Sequence, residues 1–110
     1  MLESTLENKC RLLAKKEGAL FYKWVSPGQA GVPDRILIHK GQVVFVELKA
    51  SKSNGLSPIQ QLQHKRLRNN GVRPLVVSDL DTFAAVLSAC GSGMATDSPA
   101  GNPDLPDGSG

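Results

Sequence analysis

Residues 31–50 read GVPDRILIHKGQVVFVELKA. Two runs rich in Ile and Val, DRILIH (34–39) and QVVFVELKA (42–50), flank Lys40-Gly41. That pairing predicts a β-hairpin with a two-residue turn, in which glycine supplies a positive φ. Both phases of the hairpin are apolar. Ile36, Ile38, Val43 and Phe45 fall on one face, and Leu37, Val44, Val46 and Leu48 on the other. A sheet wet on one side alternates more cleanly, so the hairpin is expected at the centre of a covered sheet. The short turn also fixes the register. His39 faces Gln42, and counting outward sets Asp34 opposite Glu47, with Cβ atoms about 4.5–5.5 Å apart. Lys49, two residues beyond Glu47, points to the same side.

Outward from the hairpin the chain alternates helices and strands. Residues 3–17 carry Leu6, Cys10, Leu13 and Ala14 on one helical face, with Gly18 as a C-terminal stop. LFYKWV (20–25) is a short aromatic-rich strand, and SPGQAGVP (26–33) is a loop. After a second loop at 51–56, Ser57-Pro58-Ile59-Gln60 opens a helix that ends at Gly71. Serine is suited to N-cap, proline to N1 and glutamine to N3. VRPLVV (72–77) is a strand, and Ser78 is expected to cap a last helix over about 79–89. From residue 91 the composition shifts to Gly, Ser, Pro and Asp, which predicts a disordered tail over 91–110 behind a domain of residues 1–90. The order is α-β-β-β-α-β-α. Its final strand follows a helix and can therefore join the sheet in parallel.

Charge is unevenly spread. All 13 Lys and Arg lie in residues 1–90 against seven acids, a net +6, whereas 91–110 carry −3. A basic body with an acidic tail favours a polyanionic partner. No apolar run approaches the roughly 20 residues of a membrane span. MLESTLENK lacks the basic and then apolar start of a signal peptide. Cys10 and Cys90 make no disulfide framework, and with His39 and His64 they lack zinc-ligand spacing. A cytoplasmic protein with reduced, core-packed thiols is expected, in the host cytoplasm if phage-encoded.

Asp34, Glu47 and Lys49 therefore meet at one end of an apolar hairpin. Two readings are open. Lys49 can simply neutralise two surface acids at a strand end. Alternatively, the acid pair is relieved by a divalent cation, for which carboxylate oxygens are suitable hard ligands. Mg²⁺ so held acidifies a bound water and clamps a phosphate, while a neighbouring lysine stabilises developing charge.

Gly31-Val32-Pro33-Asp34, twelve intervening residues and Glu47-Leu48-Lys49 resemble the PD-(D/E)XK nuclease motif. With LSPIQ (56–60) added, residues 1–90 look like the VRR-NUC branch, including its small stand-alone phage-type members. The resemblance implies an α/β fold with a restriction-endonuclease-like core. That core is αβββαβ with a C-terminal helix, its mixed central sheet flanked by helices, and it agrees with the order read above. It implies Asp34 and Glu47 as ligands of Mg²⁺ or Mn²⁺, the Leu48 carbonyl as a further ligand, and Lys49 as the catalytic lysine. An acid on the first helix completes many members' metal sites. Glu7, which borders the buried stripe, is the first choice for that role and Glu3 the second; an ordinary solvated helix acid is the plain alternative. Gln60 would pack beside the catalytic lysine, yet Ser57-x-x-Gln60 is equally a capping box.

Beyond the motif, His64 lies one turn after Gln60 and can reach substrate phosphate or be structural. Arg35, Lys52, Lys65, Arg66, Arg68 and Arg73 can track a DNA backbone or form a solvated basic face. Tyr22 and Trp24 are core residues or base-stacking ones. The function expected is a divalent-metal-dependent DNA endonuclease that leaves 5′-phosphate and 3′-hydroxyl ends. Branched or structured DNA is the expected substrate, in the manner of a Holliday-junction resolvase, because no added domain reads sequence. The rivals are a non-catalytic nucleic-acid-binding module, and a nickase or subunit of a larger nuclease. Paired cuts call for a homodimer. Phe83, Val86 and Leu87 on the last helix, with the 72–77 strand, are its expected surface.

Overall fold

The computed structural model describes residues 2–51 and 55–92. Lys52 and residues 93–110, most of the expected tail, lie outside the described residues. The element order is α1 (Glu3–Lys16), β1 (Leu20–Lys23), β2 (Arg35–His39), β3 (Gln42–Leu48), α2 (Pro58–Asn69), β4 (Leu75–Val77) and α3 (Leu80–Ser92). The sheet order is β1-β2-β3-β4. Its first three strands are antiparallel, and β4 joins β3 in parallel after the α2 crossover. This is the mixed α/β arrangement expected from the sequence, with the hairpin at its centre.

The β2–β3 ladder runs from His39↔Gln42 to Arg35↔Val46. That is the anticipated register, set by a turn in which Lys40 and Gly41 both take positive φ (50° and 80°). Mirror-image turns of this type match the twist of the strands they join. Asp34 and Glu47 continue the register one residue beyond the ladder.

One face of the sheet carries the core. Leu37, Val44, Val46, Leu48 and Val77 pack beneath Leu6, Cys10 and Ala14 of α1 and Phe83, Val86, Leu87 and Cys90 of α3. The spacing of these helical residues places each set on one stripe. Phe21 meets Phe83 edge-on, with ring centroids 5.0 Å apart. The N-cap of α3 is Asp79, not Ser78: its Oδ1 accepts from the Thr82 N–H at 2.7 Å. The helix also includes Gly91 and Ser92, which composition alone assigns to the tail.

The opposite face corrects a second expectation. Leu20, Tyr22, Val43 and Val76 are exposed, and Ile36, Ile38 and Phe45 are half-buried between them. This side of the hairpin is therefore apolar without being roofed along its length. By contrast Phe83, Val86 and Leu87, expected to offer a dimer surface, are buried against the chain's own core. The available apolar area lies on the sheet, not on α3.

Candidate active site

Ser57 opens α2 and fixes where its first turn begins. Its Oγ accepts from the Gln60 N–H, while Gln60 Oε1 accepts from the Ser57 N–H at 2.9 Å. This is a complete capping box, with Pro58 at the first helical position. The box does not exhaust the Gln60 amide. Its Oε1 also accepts from Lys49 Nζ at 2.9 Å, and its Nε2 donates to Glu47 Oε2 at 3.2 Å. The cap and the link to the lysine, alternatives in the sequence, coexist because a side-chain amide has an accepting and a donating end.

The α2 start is also held from the other side. Gly31 has φ +88°, and its Cα lies so close to α2 that a Cβ there would come within 2.6 Å of the Ile59 carbonyl oxygen. Three residues later the same loop delivers Asp34, whose Oδ1 accepts from the Leu48 N–H at 3.1 Å. Leu48 itself buries its side chain in the core. Asp34 and the α2 cap thus converge on the end of β3 that bears Glu47 and Lys49.

Glu47 is only 4% exposed. Burial, then the nearby negative charge of Asp34, pushes its carboxyl up to about 7, against the opposing pull of Lys49; Glu3 adds to the rise. Burial likewise raises Asp34, although the Leu48 N–H, Arg35 and Lys49 oppose the shift. Two desolvated carboxylates that resist ionisation make a site that gains from a cation. Glu47 Oε1 is buried without a hydrogen-bond donor among the described residues, which a cation would also relieve.

Both acids of α1 lie on the side of this site: the charge of Glu3 acts on Glu47, and Glu7 is held by an arginine. Glu7 Oε2 lies 3.4 Å from an Arg35 guanidinium nitrogen, and another nitrogen of that guanidinium lies 3.7 Å from Asp34 Oδ2. Glu7 is therefore tied to Asp34 through a cation. Among the described residues no group of three or more His, Cys, Asp and Glu is placed to hold a metal ion. The Asp34–Glu47 pair fits a hard divalent cation of the Mg²⁺ kind, which commonly takes one or two carboxylates plus waters and substrate phosphate.

Arg35, expected on a phosphate-tracking face, is 8% exposed and donates to the Asp34 carbonyl at 2.9 Å. Strand alternation holds the signal, since Arg35 shares its phase with core residue Leu37. His64 is also buried, with Nε2 3.5 Å from Glu47 Oε1. Burial lowers its pKa, as do the charges of Arg68 and Lys49, which favours the neutral ring. Lys65, Arg66 and Arg68 line α2 and are all exposed, with Arg68 near its end. Trp24 donates its backbone N–H to the Asp34 carbonyl at 2.9 Å and packs its ring on Phe45 with centroids 4.9 Å apart. No helix among the described residues is long and apolar enough to cross a membrane.

Comparison with known proteins agrees with this arrangement. No protein-family model matches the chain. A protein described as "Putative nuclease p44", from Acyrthosiphon pisum secondary endosymbiont phage 1, is 35% identical over 88 residues, which cover 79% of this chain and 92% of that protein. A solved structure described as "VRR_NUC domain" superposes with a TM-score of 0.70 at 24% identity, over 78% of this chain and 94% of that one. With the Pro33-Asp34 and Glu47-x-Lys49 residues gathered as described, the chain belongs to the same family as that phage nuclease and has the VRR-NUC domain fold.

Proposed function

We propose that this protein is a divalent-metal-dependent DNA endonuclease. The observation that carries the reading is one network: Gln60 joins the buried Glu47 to Lys49, at a partly buried corner that Asp34 enters from the facing strand. Asp34 and Glu47 would hold Mg²⁺ or Mn²⁺. The ion supplies an acidified water and a clamp on the phosphate. Lys49 presents its ammonium where phosphoryl charge develops, and Gln60 limits the directions in which that ammonium can point. Lys65, Arg66 and Arg68 supply charge to follow a phosphate backbone. A purely structural lysine needs no glutamine tether to the same carboxylate, which favours the enzyme over a non-catalytic binding module.

Cleavage of plasmid, linear duplex, flap and four-way junction, each with Mg²⁺, Mn²⁺, Ca²⁺ or EDTA, tests the assignment. Mg²⁺ and Mn²⁺ should support cutting, and branched DNA should be cut in preference to linear duplex. Ca²⁺ should support binding without cutting, since its looser shell and weaker Lewis acidity hold phosphate without activating water well. Equal cleavage in EDTA would exclude the metal reading.

Two symmetric cuts in a junction require two such sites, and a C₂ dimer provides them. The open sheet face, with Tyr22 and Val43 about half exposed, is the apolar surface available for that contact. Sedimentation should report about twice 11.7 kDa, and a Tyr22→Glu/Val43→Glu chain should run as a folded monomer that no longer makes paired cuts. A double variant that remains dimeric would move the interface elsewhere.

A further inference from the structure

We propose that His64 is a positioning residue for the Glu47 carboxylate rather than a contact for substrate phosphate. The inference rests on the metal-site reading above, and its geometric basis is independent of it. His64 is 2% exposed, so a phosphate cannot reach it without displacing α2. Its Nε2 and Glu47 Oε1 are both buried, both lack a hydrogen-bond partner among the described residues, and face each other at 3.5 Å. The other oxygen of the same carboxylate already accepts from Gln60 Nε2. Residues 60 and 64 are one helical turn apart on one face of α2. One helix therefore aims two N–H donors at the two oxygens of one carboxylate.

Such a pair of contacts fixes the plane of the carboxylate while leaving lone pairs on each oxygen for a cation. The 3.5 Å separation is longer than a formed hydrogen bond. Catalytic hydrogen bonds are often long in the unloaded state and tighten when the site is filled. A shift of a few tenths of an ångström would close this one. The Nε2 hydrogen is present in one neutral tautomer and in the imidazolium alike, so the role does not depend on His64 changing charge.

The test uses the full chain with Mn²⁺ as calorimetric probe in the absence of DNA, beside melting curves and cleavage rates. Partners that orient a metal-binding side chain commonly contribute about 10- to 100-fold in affinity or activity. His64→Leu should lower Mn²⁺ affinity by about that factor without lowering the melting temperature of the metal-free protein. His64→Gln, whose amide nitrogen can occupy the Nε2 position, should recover most of the loss. His64→Asn, whose amide falls near the Nδ1 position, should not. The Gln and Asn variants share the burden of a buried amide, so their contrast stands even if the leucine variant folds poorly. Equal Mn²⁺ affinity in wild type, Gln and Asn variants would overturn the proposal. So would an unchanged Mn²⁺ affinity coupled with weaker Ca²⁺-supported DNA binding, which is the signature of a phosphate contact. Failure of the wild type to bind Mn²⁺ at all would instead remove the metal-site reading, and this inference with it.

Discussion

Glu47→Gln should abolish cleavage and, without metal, make the protein more stable. Both effects have one cause. The folded protein raises the Glu47 carboxyl to about 7, from an ordinary 4.5. Between those values the folded state keeps a proton that the unfolded chain releases. Stability is therefore highest below about 4.5, falls as pH rises through about 7, and stays at its lower level above. A tenfold change in proton affinity is worth about 1.4 kcal/mol, so the burden at pH 8 is on the order of 3 kcal/mol. Glutamine keeps the shape and removes the charge. At pH 8 the metal-free variant should melt higher by about 12–24 °C, taking the usual 4–8 °C per kcal/mol for a domain of this size. Below about pH 4 the two proteins should melt nearly together.

Added Mg²⁺ should reverse the order. Wild type gains stability from a ligand that binds only the folded state, and the variant does not. Loss of a metal-binding carboxylate removes several kcal/mol of transition-state stabilisation, a fall of about 10³-fold or more in rate. If Glu47 merely balanced Lys49 at a strand end, the variant would cut normally and be no more stable. Melting at two pH values, with and without Mg²⁺, separates these outcomes even before any substrate is chosen.

The parts of this site that are legible in the sequence are those fixed by short-range rules. A two-residue turn leaves a single register, and that register brings Asp34 toward Glu47. Ser57-Pro58 sets the first turn of α2, and Gln60 follows from it. The parts that escape a sequence reading depend on which element covers which face. Arg35 reads by its charge as a surface residue, although its phase along β2 matches Leu37. Glu7 arriving from α1, together with the carbonyl and carboxylate of Asp34, makes burial of that guanidinium tolerable, because a buried cation needs partners.

The open sheet face is hidden for a related reason. Apolar residues on both phases of a hairpin predict cover on both sides, but the chain has three helices to distribute among its described residues. Two of them, α1 and α3, pack on the Leu37 side, and α2 contributes contacts at the Glu47 end of the other. Counting helices against faces raises the question. The sequence pattern alone records that a surface is apolar, and says nothing of whether the same chain covers it. His64 shows the converse. Its spacing from Gln60 correctly indicates a shared face, yet its polarity suggests exposure where α2 turns that face inward.

The second large effect is expected far from any charged group. Gly31→Ala should both destabilise the fold and dismantle the site. Its φ of +88° strains any residue with a side chain, and its Cβ would stand 2.6 Å from the Ile59 carbonyl oxygen and 2.8 Å from the carbonyl carbon. These are backbone atoms of the first turn of α2, so relief requires the helix to move. Gln60 is the next residue, and a displaced first turn withdraws its amide from Glu47 and Lys49 together. Gly28→Ala is the matched control. Gly28 has a similar φ of +82°, but nothing lies within 4 Å of its Cβ position. The control should carry only the conformational cost of a left-handed residue, on the order of 1 kcal/mol. Gly31→Ala should lose several kcal/mol, in the range of strained or overpacked sites. At a temperature where both variants remain folded, cleavage by Gly28→Ala should stay near wild type and that of Gly31→Ala should fall at least tenfold. Equal losses in the two variants would mean that the glycine is needed for its turn alone, and that the close approach of loop and helix does not position Gln60.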